Sequence, residues 1–396
     1  MVTVKKKRKR ILIFHASIGS GHEVAAKALR CAIRQHYPDV AVLVVDALFP
    51  VKGRNEWLTS LGSSITMNFL PGLYDRVWRT GEFQRAYQRI CRLPCFQSHI
   101  GEAVRSWQPD LVVCTHSLPA SVLAWWQKDH PHPIPTIAVA TDYQVHPYWP
   151  FEDITQFIVP SELTKQKLAA EGVAAETIFP YGIPLRSEIG QSEDASGNGA
   201  GNGAANGSDE GAKSVLVVAG GSRAATYGSL QPKITGIWHY LNQMPSLPYR
   251  WTFVVGNNDK LKEDLQRTNL HPDQLRVHGF VPDLPKLMQT AQIVVAKPGG
   301  LITAETLALG KPLVCLVSGS GQERANVGFL LSTGTGILSE DPAEAVEIVN
   351  ALLADDQERA SYQQRAAQWG RPNATEQITE HLVGLLGIEA PSPDMA

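Results

Sequence analysis

The sequence predicts an α/β protein in which two lobes each contain a parallel sheet covered by helices. The chain has 396 residues, which is more than one domain usually holds. Short continuous apolar runs alternate with helical segments in both halves, and such runs are typical of parallel strands buried on both faces. Residues 188–213 are rich in Gly, Ser and Asn, and this stretch predicts a flexible linker between the halves.

The first half follows the order strand, glycine turn, helix, strand. An apolar run at 11–16 ends in glycines, small apolar residues then recur at helical spacing, and the apolar run 41–45 follows. Further strands are expected at 111–114, 136–140 and 157–159, with helices between them.

The same pattern restarts after the linker. Strands are expected at 215–219, 251–255, 275–277, 293–296 and 313–317, and helices at 301–309, at 323–331 and throughout 342–386. The predicted division is a basic tail (1–10), a first lobe (11–187), the linker (188–213), a second lobe (214–387) and a tail (388–396). The carboxyl ends of the strands would line a cleft between the lobes.

Charge and composition exclude several classes of protein. Lys and Arg number 36 against 38 Asp and Glu, so a basic nucleic-acid binder is not expected. Hydrophobic residues make up 43% of the chain, which is too much for a mainly disordered protein. Five scattered cysteines favour a reducing compartment over a disulfide framework. No ligand spacing predicts a metal site, and no cofactor is expected.

Two features bear on membranes. No stretch approaches the ~20 apolar residues of a spanning helix, and the apolar run at 11–16 is too short for a signal peptide. Residues 5–10 are all basic. Such a block is either a solvated tail or a contact with an anionic lipid surface, where each basic residue contributes about 1 kcal/mol.

The first glycine turn carries a histidine. Gly19 and Gly21 give the spacing G-x-G, but Val24 stands where a dinucleotide-binding fingerprint has its third glycine. A nicotinamide enzyme is therefore an alternative with an incomplete motif. His22 follows in the first turn of the helix and is either an ordinary cap-region residue or a general base, since a histidine pKa lies near physiological pH.

Polar residues also follow other predicted strands of the first half. Asp142 and His146 stand in an aromatic loop that ends at Trp149, and His116 follows an earlier strand. This loop is either a turn with packed aromatic side chains or an acid–base pair at the cleft.

The second half contains two glycine turns that follow strands and open helices, an arrangement that favours an anion such as a diphosphate. The first contains Gly220, Gly221 and Ser222, and the second contains Lys297, Gly299 and Gly300.

Polar side chains follow the second of these turns. A carboxylate at Glu305 suits the two hydroxyls of a ribose, and a later polar cluster suits the hydroxyls of a hexose. That cluster consists of Gln322, Glu323 and Asn326. Each of these residues taken singly is also compatible with helix capping.

Together these motifs resemble the monogalactosyldiacylglycerol synthase family, which is related to the bacterial processive diacylglycerol glucosyltransferases. The resemblance covers about residues 11–186 and 214–336. It is carried by the glycine loop with His22, T-D-Y-Q-V-H-P-Y-W from Thr141, P-Y-G-I-P-L-R ending at Arg186, the Gly220-Gly221 loop, K-P-G-G-L-I-T-A-E ending at Glu305, and G-Q-E-R-A-N ending at Asn326.

The resemblance implies a GT-B fold, with two Rossmann-like domains and a cleft between them. It also implies inverting transfer of a hexose from a UDP-sugar, galactose ahead of glucose, to the 3-hydroxyl of diacylglycerol. His22 is the implied base, with Asp142 as the competing choice. Gly19, Gly21, His116, His146 and Trp149 lie on the implied acceptor side.

For the donor, the resemblance implies that Glu305 holds the ribose and that backbone near Phe280 meets the uracil. The diphosphate and sugar contacts fall to Gly220, Gly221, Ser222, Lys297, Gly299, Gly300, Gln322, Glu323 and Asn326. The chain departs from the plant members at Ser20, which interrupts three glycines, and at Ser222, which replaces a glycine.

A lipid acceptor requires a docking surface. Residues 55–105 are rich in aromatic and basic side chains, among them Trp57, Phe69 and Trp78. They are either packed helices or an interfacial segment that places aromatic rings at headgroup level. We expect a peripheral protein on the cytoplasmic face of a membrane, bound through anionic lipid.

Three other functions fit the same residues. The chain is alternatively a transferase that uses a polyprenyl or other lipid acceptor, a UDP-sugar epimerase of the same fold, or a non-catalytic sensor of nucleotide or lipid.

Overall fold

The computed structural model describes residues 8–17, 20–48, 81–130, 132–190, 213–220, 230–317 and 321–389. These residues form two six-stranded sheets, and the strands of each sheet pair in parallel. The predicted α/β architecture with two lobes is confirmed. Most of the predicted linker, most of the basic tail and the aromatic positions Trp57, Phe69 and Trp78 lie outside the described residues.

The first sheet has the strand order β2-β1-β3-β4-β5-β6. Its strands are β1 (Arg10–His15), β2 (Ala41–Asp46), β3 (Leu111–Cys114), β4 (Thr136–Val139), β5 (Gln156–Ile158) and β6 (Ile178–Phe179). Strand β1 lies in the interior of the sheet, with Ile11 opposite Val42 on one side and Leu111 on the other. Strands β3 and β4 are buried throughout, as their continuous apolar sequences predict.

Helices pack against both faces of this sheet in two apolar clusters. They are α1 (Ser20–His36), α2 (Gly81–Cys91), α3 (Pro94–Trp107), α4 (Ser117–Gln127) and α5 (Glu162–Ala170). The short α6 (Ser187–Gly190) instead places Ile189 in an apolar cluster with Val294 and Leu301 of the second half. Helix α1 buries Ala25, Leu29 and Ile33, which recur at one-turn spacing and form an apolar stripe.

The second sheet has the order β12-β11-β10-β7-β8-β9. Its strands are β7 (Ser214–Val218), β8 (Arg250–Val254), β9 (Leu275–His278), β10 (Ile293–Ala296), β11 (Leu313–Leu316) and β12 (Gly336–Ser339). The helices of this half are α7 (Gln231–Gln243), α8 (Asp259–Arg267), α9 (Leu284–Thr290), α10 (Gly300–Ala308), α11 (Gly321–Thr333), α12 (Pro342–Ala354), α13 (Asp356–Trp369) and α14 (Ala374–Gly384).

Most predicted elements occur within a residue or two of their expected bounds. The strands at 111–114 and 293–296 coincide with β3 and β10, and the helix expected at 301–309 is α10. Strands β6 and β12 were not predicted. Strand β6 has two residues, and β12 contains a glycine and a serine, so neither presents a continuous apolar run.

Each sheet has a topological switch point, where consecutive strands leave in opposite directions across the sheet. In the first sheet the switch lies between β1 and β3, and in the second it lies between β7 and β10. The loops that follow the carboxyl ends of such strands form the ligand crevice of open parallel sheets. The histidine turn and the glycine turns singled out in the sequence all follow these four strands.

The final helix of the chain packs on the first lobe. Ala374, Ile378 and Leu382 of α14 join the cluster formed by Ile11 and Ile13 of β1. The apolar repeat of α14 predicts that one face is buried, but it does not say against which lobe. Helix α14 belongs to the second half by its position in the sequence, but it packs on the first lobe. The predicted domain bounds stay predictions.

Among the residues that the structure describes, none of the helices combines the length and the apolar character needed to span a bilayer.

Candidate active site

His22 lies at the switch point of the first sheet. It stands in the first turn of α1, and its Nδ1 is 2.9 Å from the carbonyl oxygen of Thr115, just beyond β3. The hydroxyl of Thr115 donates to the carbonyl of His22 at 3.0 Å, and the hydroxyl of Thr141 lies 2.7 Å from Nδ1. Loops after β1, β3 and β4 therefore hold one imidazole.

These contacts determine the tautomer of His22. A carbonyl oxygen only accepts, so Nδ1 carries the hydrogen that is donated to Thr115, and Nε2 keeps its lone pair. Burial lowers the pKa of His22 below its usual 6.5, while Asp142 and the hydrogen bond to Thr115 act in the opposite direction. The ring is therefore neutral near pH 7 and able to accept a proton at Nε2.

His116 and His146 lie near His22. The rings of His22 and His116 meet edge to face, with centroids 4.6 Å apart. His116 caps α4 by accepting the N–H of Leu118 at Nδ1, 3.0 Å away. Burial holds the pKa of His116 well below its usual value, with the neighbouring histidines acting in the same direction, and lowers that of His146 to about 4. The cluster is uncharged near neutral pH.

Trp149 belongs to the packed core rather than to an open surface. Its side chain is 7% exposed and meets the ring of Phe157 edge to face, with centroids 6.2 Å apart. These contacts correspond to the packed-aromatic interpretation of the loop, and the acceptor-side role of Trp149 stays a prediction.

The loop after β4 reaches into the second lobe. A Cβ atom on Gly300 would lie only 1.8 Å from the carbonyl oxygen of Thr141 and 2.9 Å from a carboxylate oxygen of Asp142. The ring of Tyr143 stacks on Phe329 of α11, with centroids 3.9 Å apart. The loop after β4 and the amino terminus of α10 are therefore in direct contact, and only glycine at position 300 permits the approach.

The second switch point consists of backbone and helix termini. Gly220 follows β7 with a φ of +100°, a left-handed conformation that favours glycine. Beyond β10, Gly299 caps α10, and its N–H donates to the carbonyl of Lys297 at 2.8 Å. The N–H groups at the start of a helix such as α10 suit an anionic ligand. Phe280 stands beyond β9 with 63% of its side chain exposed.

Glu305 is the buried carboxylate of this half. It is 1% exposed on α10 and forms an ion pair with Arg186, the last residue of the P-Y-G-I-P-L-R motif. Burial raises the pKa of Glu305, and the guanidinium of Arg186 opposes that shift. An ionised carboxylate at this depth requires such a partner, and ribose hydroxyls would have to share it with Arg186.

Asn326 is 1% exposed on α11 and has hydrogen-bond partners on both of its amide atoms. Its Nδ2 donates to Oδ1 of Asp142 and to the carbonyl of Pro298, each at 3.0 Å, and its Oδ1 accepts the N–H of Tyr143 at 2.9 Å. The structure thus brings Asn326 to the acceptor-side loop.

Several predicted site residues cannot be placed. Gly19, Gly221 and Ser222 lie outside the described residues, and Gln322 and Glu323 lie on α11 without described side chains. Gly21 is described, and a Cβ there would lie 3.5 Å from Cβ of Leu301, so α1 begins against α10. Within the described part of the chain, no three His, Cys, Asp or Glu side chains converge as metal ligands.

The sequence interpretation missed the roles of Thr115 and Thr141 as partners of His22. It also missed the ion pair between Arg186 and Glu305. Thr115 and Thr141 each follow a buried apolar strand, which is the signal that singled out His116 and Asp142. A threonine is common after a strand, however, and its contact with His22 depends on which strands are neighbours in the sheet.

Two such lobes, joined by loops that meet at their switch points, define the GT-B fold. Solved structures over nearly the full chain agree. They include the S. aureus MnaA-UDP co-structure (15% identity, 97% of this chain and 99% of that chain, TM-score 0.62) and CalG4, the calicheamicin glycosyltransferase (15%, 98% and 100%, TM-score 0.60). Acinetobacter baumannii MurG is also similar (13%, 95% and 99%, TM-score 0.55).

Comparison with known families gives the narrower identification. Residues 22–185 match the monogalactosyldiacylglycerol (MGDG) synthase family, and residues 217–369 match the glycosyl transferases group 1 family. The first half of the chain is therefore similar to the MGDG synthase family and the second half to a glycosyltransferase family, and the resemblance stated from the sequence is confirmed.

Curated relatives match the chain from end to end. The processive diacylglycerol beta-glucosyltransferase of Bacillus subtilis (strain 168) is 27% identical over 95% of this chain and 95% of the relative. The protein of the same name from Bacillus pumilus (strain SAFR-032) is 26% identical over 95% and 94%.

Proposed function

We propose that the chain is an inverting glycosyltransferase that moves a hexose from a UDP-sugar to the 3-hydroxyl of diacylglycerol. One observation carries the proposal: Thr115 and Thr141 hold His22 at the first switch point, while the glycine turn at the start of α10 meets the loop after β4. The full-length relatives named for diacylglycerol glucosyl transfer support the choice of acceptor.

The proposed step is a displacement at the anomeric carbon. The acceptor oxygen forms a bond to that carbon, and the bond from the carbon to the β-phosphate oxygen breaks. Nε2 of His22 takes the proton from the acceptor hydroxyl, because Nδ1 is occupied by its own hydrogen and by Thr115. Asp142 is the competing base, and its charge also favours the imidazolium that forms on His22.

The departing UDP would be stabilised by the second lobe. Backbone N–H groups at the start of α10 and the turn at Gly220 suit a diphosphate, since helix N-termini favour negative charge. Glu305 would accept hydrogen bonds from the ribose, and the guanidinium of Arg186 favours its ionised form. Phe280 stands exposed where the uracil would lie in this arrangement.

The two comparisons favour different sugars for the hexose of the donor. The sequence resemblance favours galactose first, whereas the full-length relatives are named beta-glucosyltransferases. We propose glucose first and galactose second. A β-linked product from an α-linked UDP-sugar requires inversion, which is the outcome of a single displacement.

We also propose a peripheral position on the cytoplasmic face of a membrane that carries anionic lipid. Ile90 and Leu93, at the junction of α2 and α3, are 46% and 45% exposed, and Arg89 and Arg92 stand beside them. Apolar side chains flanked by arginines suit the headgroup boundary. Flotation with anionic and neutral vesicles tests this: the protein should float only with anionic vesicles, and an Ile90→Asp, Leu93→Asp variant should float less.

The proposed reaction is tested with purified protein, UDP-glucose or UDP-galactose, and vesicles that contain diacylglycerol. The expected result is UDP release together with a hexosyldiacylglycerol, whose mass and anomeric configuration are then determined. Absence of UDP release with every common UDP-hexose would contradict the proposal.

The same assay separates the alternatives. A polyprenyl transferase would release UDP with prenyl alcohols or phosphates and not with diacylglycerol. An epimerase would convert the UDP-sugar without any lipid. A sensor would bind the UDP-sugar in calorimetry and release no UDP after lipid is added.

A further inference from the structure

We propose that Asn326 is a positioning residue that ties the carboxylate of Asp142 to the second lobe, rather than a contact to the donor sugar. The inference rests on the proposed function, because it assigns how the two lobes are held together at the reacting centre. It is carried by three hydrogen bonds of one buried amide.

Protein partners take both amide hydrogens of Asn326 and one hydrogen-bond position of its oxygen. Its two Nδ2 hydrogens go to Asp142 and to the carbonyl of Pro298, and its Oδ1 accepts the N–H of Tyr143. With the side chain 1% exposed, the amide presents neither a further hydrogen nor open surface to a sugar hydroxyl. A hydrogen bond donated by Nδ2 to a sugar hydroxyl would require the bond to Asp142 or the bond to Pro298 to break.

The three bonds join three elements of the cleft. Pro298 belongs to the turn between β10 and α10, Asn326 belongs to α11, and Asp142 and Tyr143 belong to the loop after β4 of the first sheet. The ring of Tyr143 stacks on Phe329, one helical turn after Asn326. The acceptor-side loop is therefore attached to the donor-side turn through a single side chain.

This attachment determines where the charge of Asp142 lies. Oδ1 of Asp142 is held at the amino terminus of α10, 2.9 Å from the position that a Cβ of Gly300 would occupy. The same carboxylate raises the proton affinity of His22, which lies in the same lobe. An asparagine side chain can donate two hydrogen bonds and accept another, as Asn326 does here. Aspartate, serine or leucine at position 326 would each lose at least one of the three bonds.

The decisive measurement compares Asn326→Ala with the wild type in three respects: turnover, affinity for UDP and affinity for the UDP-hexose. Turnover is divided by the UDP-binding stoichiometry, because misfolded protein would otherwise lower the apparent kcat. A positioning role predicts that kcat falls roughly 10- to 100-fold, because small displacements of reacting groups are costly. It also predicts that the ratio of the UDP-hexose and UDP dissociation constants does not change.

A sugar contact predicts the opposite result. The UDP-hexose would then bind several-fold more weakly while UDP binds as before, and that outcome would overturn the proposal. So would a normalised kcat equal to that of the wild type. Ser332→Ala is the matched control: Ser332 also lies on α11, but its hydroxyl donates to the carbonyl of Phe329 within the helix.

A double variant tests whether Asn326 acts through Asp142. If it does, adding Asn326→Ala to Asp142→Asn lowers kcat by less than about threefold, because contacting residues that form one unit are not additive. Independent losses that multiply would contradict the proposal. Asn326→Asp serves if the alanine variant does not fold, since it keeps the size and the bond from Tyr143 but faces Asp142 with a second carboxylate.

The proposed function and this inference fail in distinguishable ways. A wild-type protein that releases no UDP with any acceptor removes the proposed function. A wild-type protein that transfers hexose, together with an Asn326→Ala variant that is equally active or selectively weak for the UDP-hexose, removes the inference alone.

Discussion

The two switch points have the same topology and different chemistry. At the first, a side chain predominates: the imidazole of His22 is held by Thr115 and Thr141. At the second, the backbone predominates, with a left-handed Gly220 and the glycine-capped start of α10. The comparison teaches that one arrangement of parallel strands can present a titrating side chain in one lobe and an anion-binding backbone in the other.

Burial also acts differently on the two sides. It keeps His22 and His116 neutral near pH 7, because desolvation of the buried rings lowers the pKa of each. In the second lobe the buried Glu305 has Arg186 as an ion-pair partner, and a buried charge is tolerated when it is paired. The first lobe is thus prepared to take a proton, and the second to hold a polar ligand.

The largest expected effect comes from a substitution at the first switch point. His22→Ala removes the proposed base and should lower kcat by about 100- to 10,000-fold, the usual contribution of a general base. The affinity for UDP, measured by calorimetry, should stay the same. His36→Ala is the control, because His36 is exposed at the last turn of the same helix. Transfer at a near-normal rate would remove His22 from the base role.

Glu305→Gln tests the second switch point. The loss of a charged acceptor should weaken UDP binding roughly 10- to 100-fold, since hydrogen bonds to charged groups are worth about 1.5–3 kcal/mol. The variant should also lose any preference for UDP over 2′-deoxy-UDP, and calorimetry measures both. Glu263→Gln on the exposed face of α8 is the control. A retained preference would place the ribose contact elsewhere.

Gly300→Ala tests the contact between the two lobes at their switch points. The added methyl group would overlap the carbonyl of Thr141, so the loop after β4 has to move. We expect a loss of roughly 1–3 kcal/mol in the free energy of unfolding, typical of overpacking, and a lower kcat. Gly328→Ala on α11 meets nothing within 4 Å and should leave both properties unchanged or raise stability slightly. Equal behaviour of the two variants in thermal unfolding would contradict the contact.

The smallest effect is a shift in pH dependence. Transfer requires neutral His22, so kcat/KM should fall as the pH drops through its lowered pKa, below 6.5. Asp142 raises that pKa, and Asp142→Asn should therefore move the acidic limb to still lower pH. A profile of kcat/KM against pH measures the limb. Complete loss of transfer in Asp142→Asn, with activity retained in His22→Ala, would assign the base role to Asp142.

Much of the fold was predictable because its signals are local. Continuous apolar runs gave β1, β3 and β10, and an apolar stripe at helical spacing gave α1. The short β6 and the polar β12 were missed, since each strand is recognised by its neighbours in the sheet rather than by its own sequence.

The candidate site was predictable as residues but not as contacts. His22, Asp142, Glu305 and Asn326 were all singled out, yet the partners of each lie far away in the sequence. Arg186 and Glu305 are 119 positions apart, and Asn326 and Asp142 are 184 apart. No periodicity extends over such distances, so the pairing of Asn326 with the acceptor-side loop had no sequence signal.

The order of apolar runs, glycines and polar strand ends determined the two-lobed α/β class and the positions at which function would be found, because each depends on a few neighbouring residues. The tertiary structure alone decided the tautomer of His22, the ion pair of Glu305 and the packing of α14 on the first lobe. These depend on which strands are adjacent and which surfaces meet, and both follow from the burial of the whole chain.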